Sequence, residues 1–117
     1  MTIIVYGIRN CDTLKRAREW LAARRVEHVF HDYKVAGIDA ATLGRWVDEV
    51  GWERLLNISG TTFRKLPDAE RAALDRPRAT ALTLAHPSLV RRPVIEGAGP
   101  LLVGFDPDAY AKRFPQR

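Results

Sequence analysis

The chain holds a single cysteine, Cys11. One thiol excludes any disulfide within the chain, and it excludes a structural zinc site built on cysteine pairs. Histidine is scarce too. His28, His31 and His86 lack the paired spacing of a metal-ligand set. His28 and His31 fall in one predicted strand at odd separation, so they point to opposite faces, and no metal site is expected. No run of eighteen apolar residues occurs, which leaves no candidate transmembrane helix. The opening Met1-Thr2-Ile3-Ile4-Val5-Tyr6 lacks the basic start and long apolar stretch of a signal peptide. The expectation is a cytoplasmic protein with no membrane partner.

Positive charge is what the chain has in excess. Lysine and arginine number 19 against 14 acidic residues, a formal net charge of +5. That balance favours anionic partners. The basic residues are spread along the chain and form no single stripe, so nucleic acid is not an expected partner. A length of 117 residues at 46% hydrophobic suits one domain, 1–117, with one core.

Thr2 to Tyr6 is a β-branched apolar run ending at Gly7, which predicts a buried strand. Asp12 to Arg24 predicts a helix whose apolar face is Leu14, Ala17 and Leu21. His28 to Tyr33 predicts a second strand. Asp39 is a candidate N-cap for a helix carrying Leu43, Trp46, Val47 and Val50, with Gly51 at its C-terminal end. Trp52 to Leu56 predicts a short helical turn, Phe63 to Leu74 a helix restarting at Pro67, and Arg78 to Ala85 a helix stopped by His86-Pro87. Pro93 to Glu96, the turn Gly97-Ala98-Gly99-Pro100, and Leu101 to Phe105 predict a β-hairpin. Asp106 and Pro107 suit the N-cap and first position of a last helix through about Arg113. The order β-α-β, helices, β-hairpin, α gives a four-stranded mixed sheet in an α/β, thioredoxin-like fold.

Cys11 falls where the first strand has ended and a helix is beginning. A helix N-terminus offers unpaired N–H groups and the positive end of a dipole, both of which favour the reactive thiolate. Asn10 is a good N-cap, the Thr13 hydroxyl is placed to donate to the sulfur, and Lys15 adds positive charge one turn on; Asp12 works the other way. The alternative is a small buried hydrophobe, the common fate of free cysteine. A Cys-x-x-Cys pair needs cysteine at 14, where Leu14 stands, and a phosphatase-type loop needs arginine at 17, where Ala17 stands. A lone nucleophilic thiol needs an external resolving thiol, and glutathione is the abundant anionic candidate. Arg91-Arg92-Pro93 is a second constellation: with a cis bond before Pro93, Arg92 is placed to clamp a carboxylate or oxyanion, and with a trans bond it is a basic surface pair. Thr61-Thr62-Phe63-Arg64-Lys65 is a third, either a capped helix with a solvated basic face or an anion site.

These features together resemble the arsenate reductase (ArsC) family, in particular its ArsC-like YffB branch with its Spx-like relatives. The resemblance runs nearly full length. It rests on residues 5–13 (VYGIRNCDT), 48–53 (DEVGWE), 60–66 (GTTFRKL), His86-Pro87-Ser88 and Arg91-Arg92-Pro93-Val94. It implies a thioredoxin-like fold with a helical insertion, Cys11 as nucleophile and a cis-proline at Pro93 beside the sulfur. Glutathione-coupled arsenate reductases hold their oxyanion with three arginines. Arg92 matches one, whereas Asn57 and Gly104-Phe105 stand where the others are expected. Losing two charge-assisted contacts costs about 3–6 kcal/mol, so efficient arsenate reduction is not expected.

The resemblance then implies a glutathione-dependent thiol or disulfide oxidoreductase. Cys11 forms the mixed disulfide, Arg92, Arg64 and Lys15 hold glutathione carboxylates, and Asn10, Thr13 and Pro93 border the sulfur. Glutathione is the co-substrate, no cofactor is bound, glutaredoxin is a candidate partner, and the protein is expected to be a monomer. The alternatives are arsenate reductase proper, coupled to glutathione and glutaredoxin, and an Spx-like regulator that binds RNA polymerase. Redox-switching members of that last group use the Cys-x-x-Cys pair that Leu14 removes.

Overall fold

The computed structural model describes residues 2–115. The chain divides into two compact units, Met1–Ala36 with Arg92–Arg117, and Gly37–Arg91.

The first unit contains β1 (Ile4–Gly7), α1 (Asp12–Ala23), β2 (Val29–Asp32), α2 (Tyr33–Ala36), β3 (Val94–Glu96), β4 (Leu102–Val103) and α8 (Pro107–Arg113). The strands form one sheet in the order β2-β1-β3-β4. β1 runs parallel to β2 and antiparallel to β3, and β3 is antiparallel to β4. This is the mixed α/β sheet expected from the element order.

Register explains the core. Val5 sits opposite Phe30 and Ile95, and Ile95 sits opposite Leu102. These four therefore share one face of the sheet. Leu14, Ala17 and Leu21 of α1 and Tyr110 of α8 join Val5 and Ile95 in the buried cluster, with Phe30, Leu102 and Cys11 packed against it. The spacing of the α1 residues puts them on one stripe of the helix, which is why it lies on that face. α8 begins as its sequence dictates: the Asp106 carboxylate accepts N–H bonds from Asp108 and Ala109, and Pro107 occupies the first turn.

The second unit contains α3 (Ala40–Val50), α4 (Trp52–Leu55), α5 (Thr61–Arg64), α6 (Asp68–Arg71), α7 (Arg76–Ala85) and a 3-10 turn at Pro87–Leu89. Asp39 caps α3 by accepting the Thr42 N–H at 2.7 Å, and that bond holds its carboxyl below the ordinary range. Leu43, Trp46 and Val47 are buried. Leu56, Leu66 and Leu89 form a separate core with Trp52, Phe63, Leu74 and Leu82 against it. The middle of this unit is pinned to its C-terminal end. Asn57 N–H donates to Leu89 O and Arg91 N–H to Leu55 O, both at 2.7 Å.

Several boundaries differ from those expected. The helix expected over 63–74 with a restart at Pro67 is two single turns, α5 and α6, separated by Lys65, Leu66 and Pro67, so the restart falls where it was expected. Leu66 turns inward there, and Pro67 has no N–H to continue a helix. The strand expected over 28–33 stops at Asp32, whose carboxylate accepts the Lys34 N–H and turns the chain into α2. His28 lies ahead of β2, so it shares no strand with His31. The strand expected over 101–105 is two residues long and ends at Gly104, at φ +82°. Among the described residues no helix is long and apolar enough to cross a membrane.

Candidate active site

Cys11 is the N-cap residue of α1, at φ −107° and ψ 122°. Asn10, expected to be the cap, stands one residue earlier in the left-handed region at φ 66°, a conformation that asparagine tolerates better than most residues. The turn at Asn10 is what delivers Cys11 to the helix end. The Cys11 carbonyl accepts the Lys15 N–H at 2.9 Å, so its backbone starts the helix while its side chain caps nothing. The thiol is half-buried. Close approach of the loop to the helix depends on Gly7, where a Cβ would lie 2.7 Å from the Leu14 side chain.

Thr13 lies in the first turn and is half-buried, and Lys15 is exposed one turn along. The Arg92–Pro93 peptide is cis, and Pro93 is fully buried at the entry to β3. Its carbonyl accepts the Gly104 N–H at 2.8 Å.

The residue that inspection of the sequence misses is Tyr33. It is 0% exposed, and its phenol is hydrogen-bonded to the Arg92 side chain. Burial pushes the phenol above its ordinary value; the Arg92 cation opposes this, and Cys11 and Asp32 reinforce it. The same side chain thus lies within electrostatic reach of the thiol and in contact with the arginine. Asp32 adds an ion pair to Arg9 at 3.7 Å, with 11% of its side chain exposed. Within the first unit Tyr33 thus links Cys11 and Arg92, the residue before Pro93. Arg64, the other arginine expected to supply charge, is the exposed last residue of α5 in the second unit.

Both residues standing where further arginines were expected have backbone roles. Asn57 receives the Gly60 N–H and donates its own to Leu89. Gly104 holds φ +82°, where an arginine side chain would be strained, and its carbonyl accepts the Tyr110 hydroxyl at 2.7 Å. Among the described residues no group of three or more histidine, cysteine, aspartate or glutamate side chains could hold a metal ion.

A groove of about 980 Å³ opens beside the thiol, lined by Cys11, by Lys15 and Arg18 of α1 and by Phe30 of β2. A half-buried thiol at a helix start, an adjacent arginine and an open groove make an arrangement able to exchange a thiol with an anionic disulfide.

The family model described as ArsC family matches residues 6–113. The chain belongs to the ArsC family. Among solved structures, the YFFB (PA3664) protein is 53% identical with a TM-score of 0.93, over 97% of this chain and 99% of that one. An arsenate reductase (ArsC) related protein from Brucella melitensis is 51% identical with a TM-score of 0.78, over 98% and 96%. The global transcriptional regulator Spx 1 of Lactococcus lactis is 26% identical over 97% of this chain and 90% of its own length. The relatives thus carry names of two kinds, an arsenate reductase related protein at 51% identity and a transcriptional regulator at 26%.

Proposed function

We propose that this ArsC-family protein is a glutathione-dependent thiol–disulfide oxidoreductase that works through Cys11 alone. The observation that carries the reading is the position of the chain's one thiol at a helix start, within electrostatic reach of the Tyr33 phenol that Arg92 bonds, with buried Leu14 where a second thiol would stand. The Cys11 thiolate attacks the glutathione sulfur of a mixed disulfide. A Cys11–glutathione disulfide forms, and the partner sulfur leaves and takes up a proton. The thiolate of a second glutathione then attacks the bound glutathionyl sulfur. Oxidised glutathione departs, and Cys11 is restored. Arg92 and Lys15 supply positive charge for carboxylates, and Asn10, Thr13 and Pro93 frame the sulfur.

The test is intact-protein mass spectrometry after exposure to oxidised glutathione. One glutathionyl adduct, absent in Cys11→Ser, is the expected result. An unmodified wild-type thiol, or full turnover by Cys11→Ser, overturns the reading.

Arsenate reduction is the second reading, favoured by the 51% identity to an arsenate reductase related protein. Asn57 and Gly104 argue against it. Steady-state turnover with arsenate, glutathione and glutaredoxin distinguishes the two, and we expect little or none.

A further inference from the structure

We propose that the groove beside Cys11 seats the glutathionyl group itself, reading it as a zwitterionic peptide rather than as a simple anion. The inference rests on the reading of Cys11 as a thiol that exchanges with glutathione.

Placement comes first. Cys11, Lys15 and Arg18 recur at intervals of four and three, so they share one face of α1. From Cys11 to Arg18 the helix rises about 10 Å, close to the reach of an extended tripeptide at about 3.5 Å per residue. The groove volume of about 980 Å³ is at the upper end of the usual range for small-ligand sites, about 300–1,000 Å³, which leaves room for glutathione and for the group it is bonded to.

Charge decides the ligand class. The lining carries Arg9, Lys15 and Arg18, but also Asp12 and Glu19. A bare oxyanion gains nothing from two carboxylates and is repelled by them. Glutathione has two carboxylates and one ammonium, so it can use both signs.

Arg18 is also held ready. Its guanidinium lies 4.7 Å from the Phe30 ring centroid, and its Nε points at His28 Nε2 at 3.4 Å. Stacking on a ring that is itself packed on the core reduces the freedom the arginine loses when a carboxylate arrives. Its terminal N–H groups remain for that carboxylate.

The experiment compares second-order rates of Cys11 adduct formation with three disulfides: oxidised glutathione, its N-acetylated form, which lacks the ammonium, and neutral hydroxyethyl disulfide. The ratio of the glutathione to the hydroxyethyl rate is the readout. We expect Arg18→Gln to lower that ratio about tenfold, the scale of one charged hydrogen bond. Arg18→Lys recovers part of it. N-acetylation slows the wild-type reaction several-fold, and Glu19→Gln erases that difference. An unchanged ratio in Arg18→Gln, or equal rates for the two glutathione disulfides, overturns the groove assignment while leaving Cys11 chemistry intact. Absence of any adduct with all three disulfides overturns the function itself, and the groove assignment with it.

Discussion

A phenol with no access to water must find its hydrogen-bond partners inside the protein, and Tyr33 finds Arg92. The consequence is that one side chain both orients Arg92 and lies within electrostatic reach of the thiol. Tyr33→Phe keeps the ring and removes the oxygen that receives the guanidinium. A hydrogen bond to a charged group is worth about 1.5–3 kcal/mol. We therefore expect the mutant to stay folded and its Cys11–glutathione adduct to form several-fold more slowly; an unchanged rate would show that Arg92 needs no such support. Alkali offers a second check. Burial, the main cause, raises both Tyr33 and Tyr110 above the ordinary value of 10.0. Above that pH the unfolded chain releases phenolic protons that the native protein retains. Stability is thus intact below pH 10 and falls as pH rises beyond it, a decline visible in urea midpoints and reduced in either Tyr→Phe variant. Cys11 is legible in the sequence because a strand end, a helix start and a sole thiol coincide there. Tyr33 is not, because its partner lies in another part of the chain and a tyrosine after a β-branched, aromatic run reads as strand.

At the scale of elements, local chemistry decides where helices begin. Asp106→Ala removes the acceptor for the Asp108 and Ala109 N–H groups. Loss of such a cap costs about 1 kcal/mol, measurable as a lowered denaturation midpoint. Leu21→Ala, at a site with no exposed surface, leaves a cavity and costs about 2–5 kcal/mol. α1, α3 and α8 can be read in advance because each couples an apolar stripe to a start signal. The stretch from Phe63 to Leu74 does restart at Pro67, as the proline signals, but its helical composition sustains only single turns, because Leu66 turns inward before the restart. β4 is overestimated for a similar reason: Leu101 to Phe105 has strand composition, yet Gly104 carries a positive φ that no periodicity reveals.

For the whole molecule, the relevant quantity is a net charge of +5 meeting the anionic co-substrate proposed above. Raising ionic strength from 0.01 to 0.15 M shortens the screening length from about 30 to about 8 Å. The rate of Cys11 modification by oxidised glutathione should fall across that range, while the rate with hydroxyethyl disulfide should hold steady. The sheet order carries a different consequence. β1 is flanked by β2 on one side and β3 on the other, and β3 begins only at Val94. Ribosomes extend a chain at about 5–20 residues per second, so for some seconds the newborn polypeptide carries its thiol, its first helix and half of its sheet, with the second edge of β1 open to any other strand. A product truncated before Arg92 keeps the thiol, loses the arginine that bonds Tyr33, and exposes a strand edge suited to self-association.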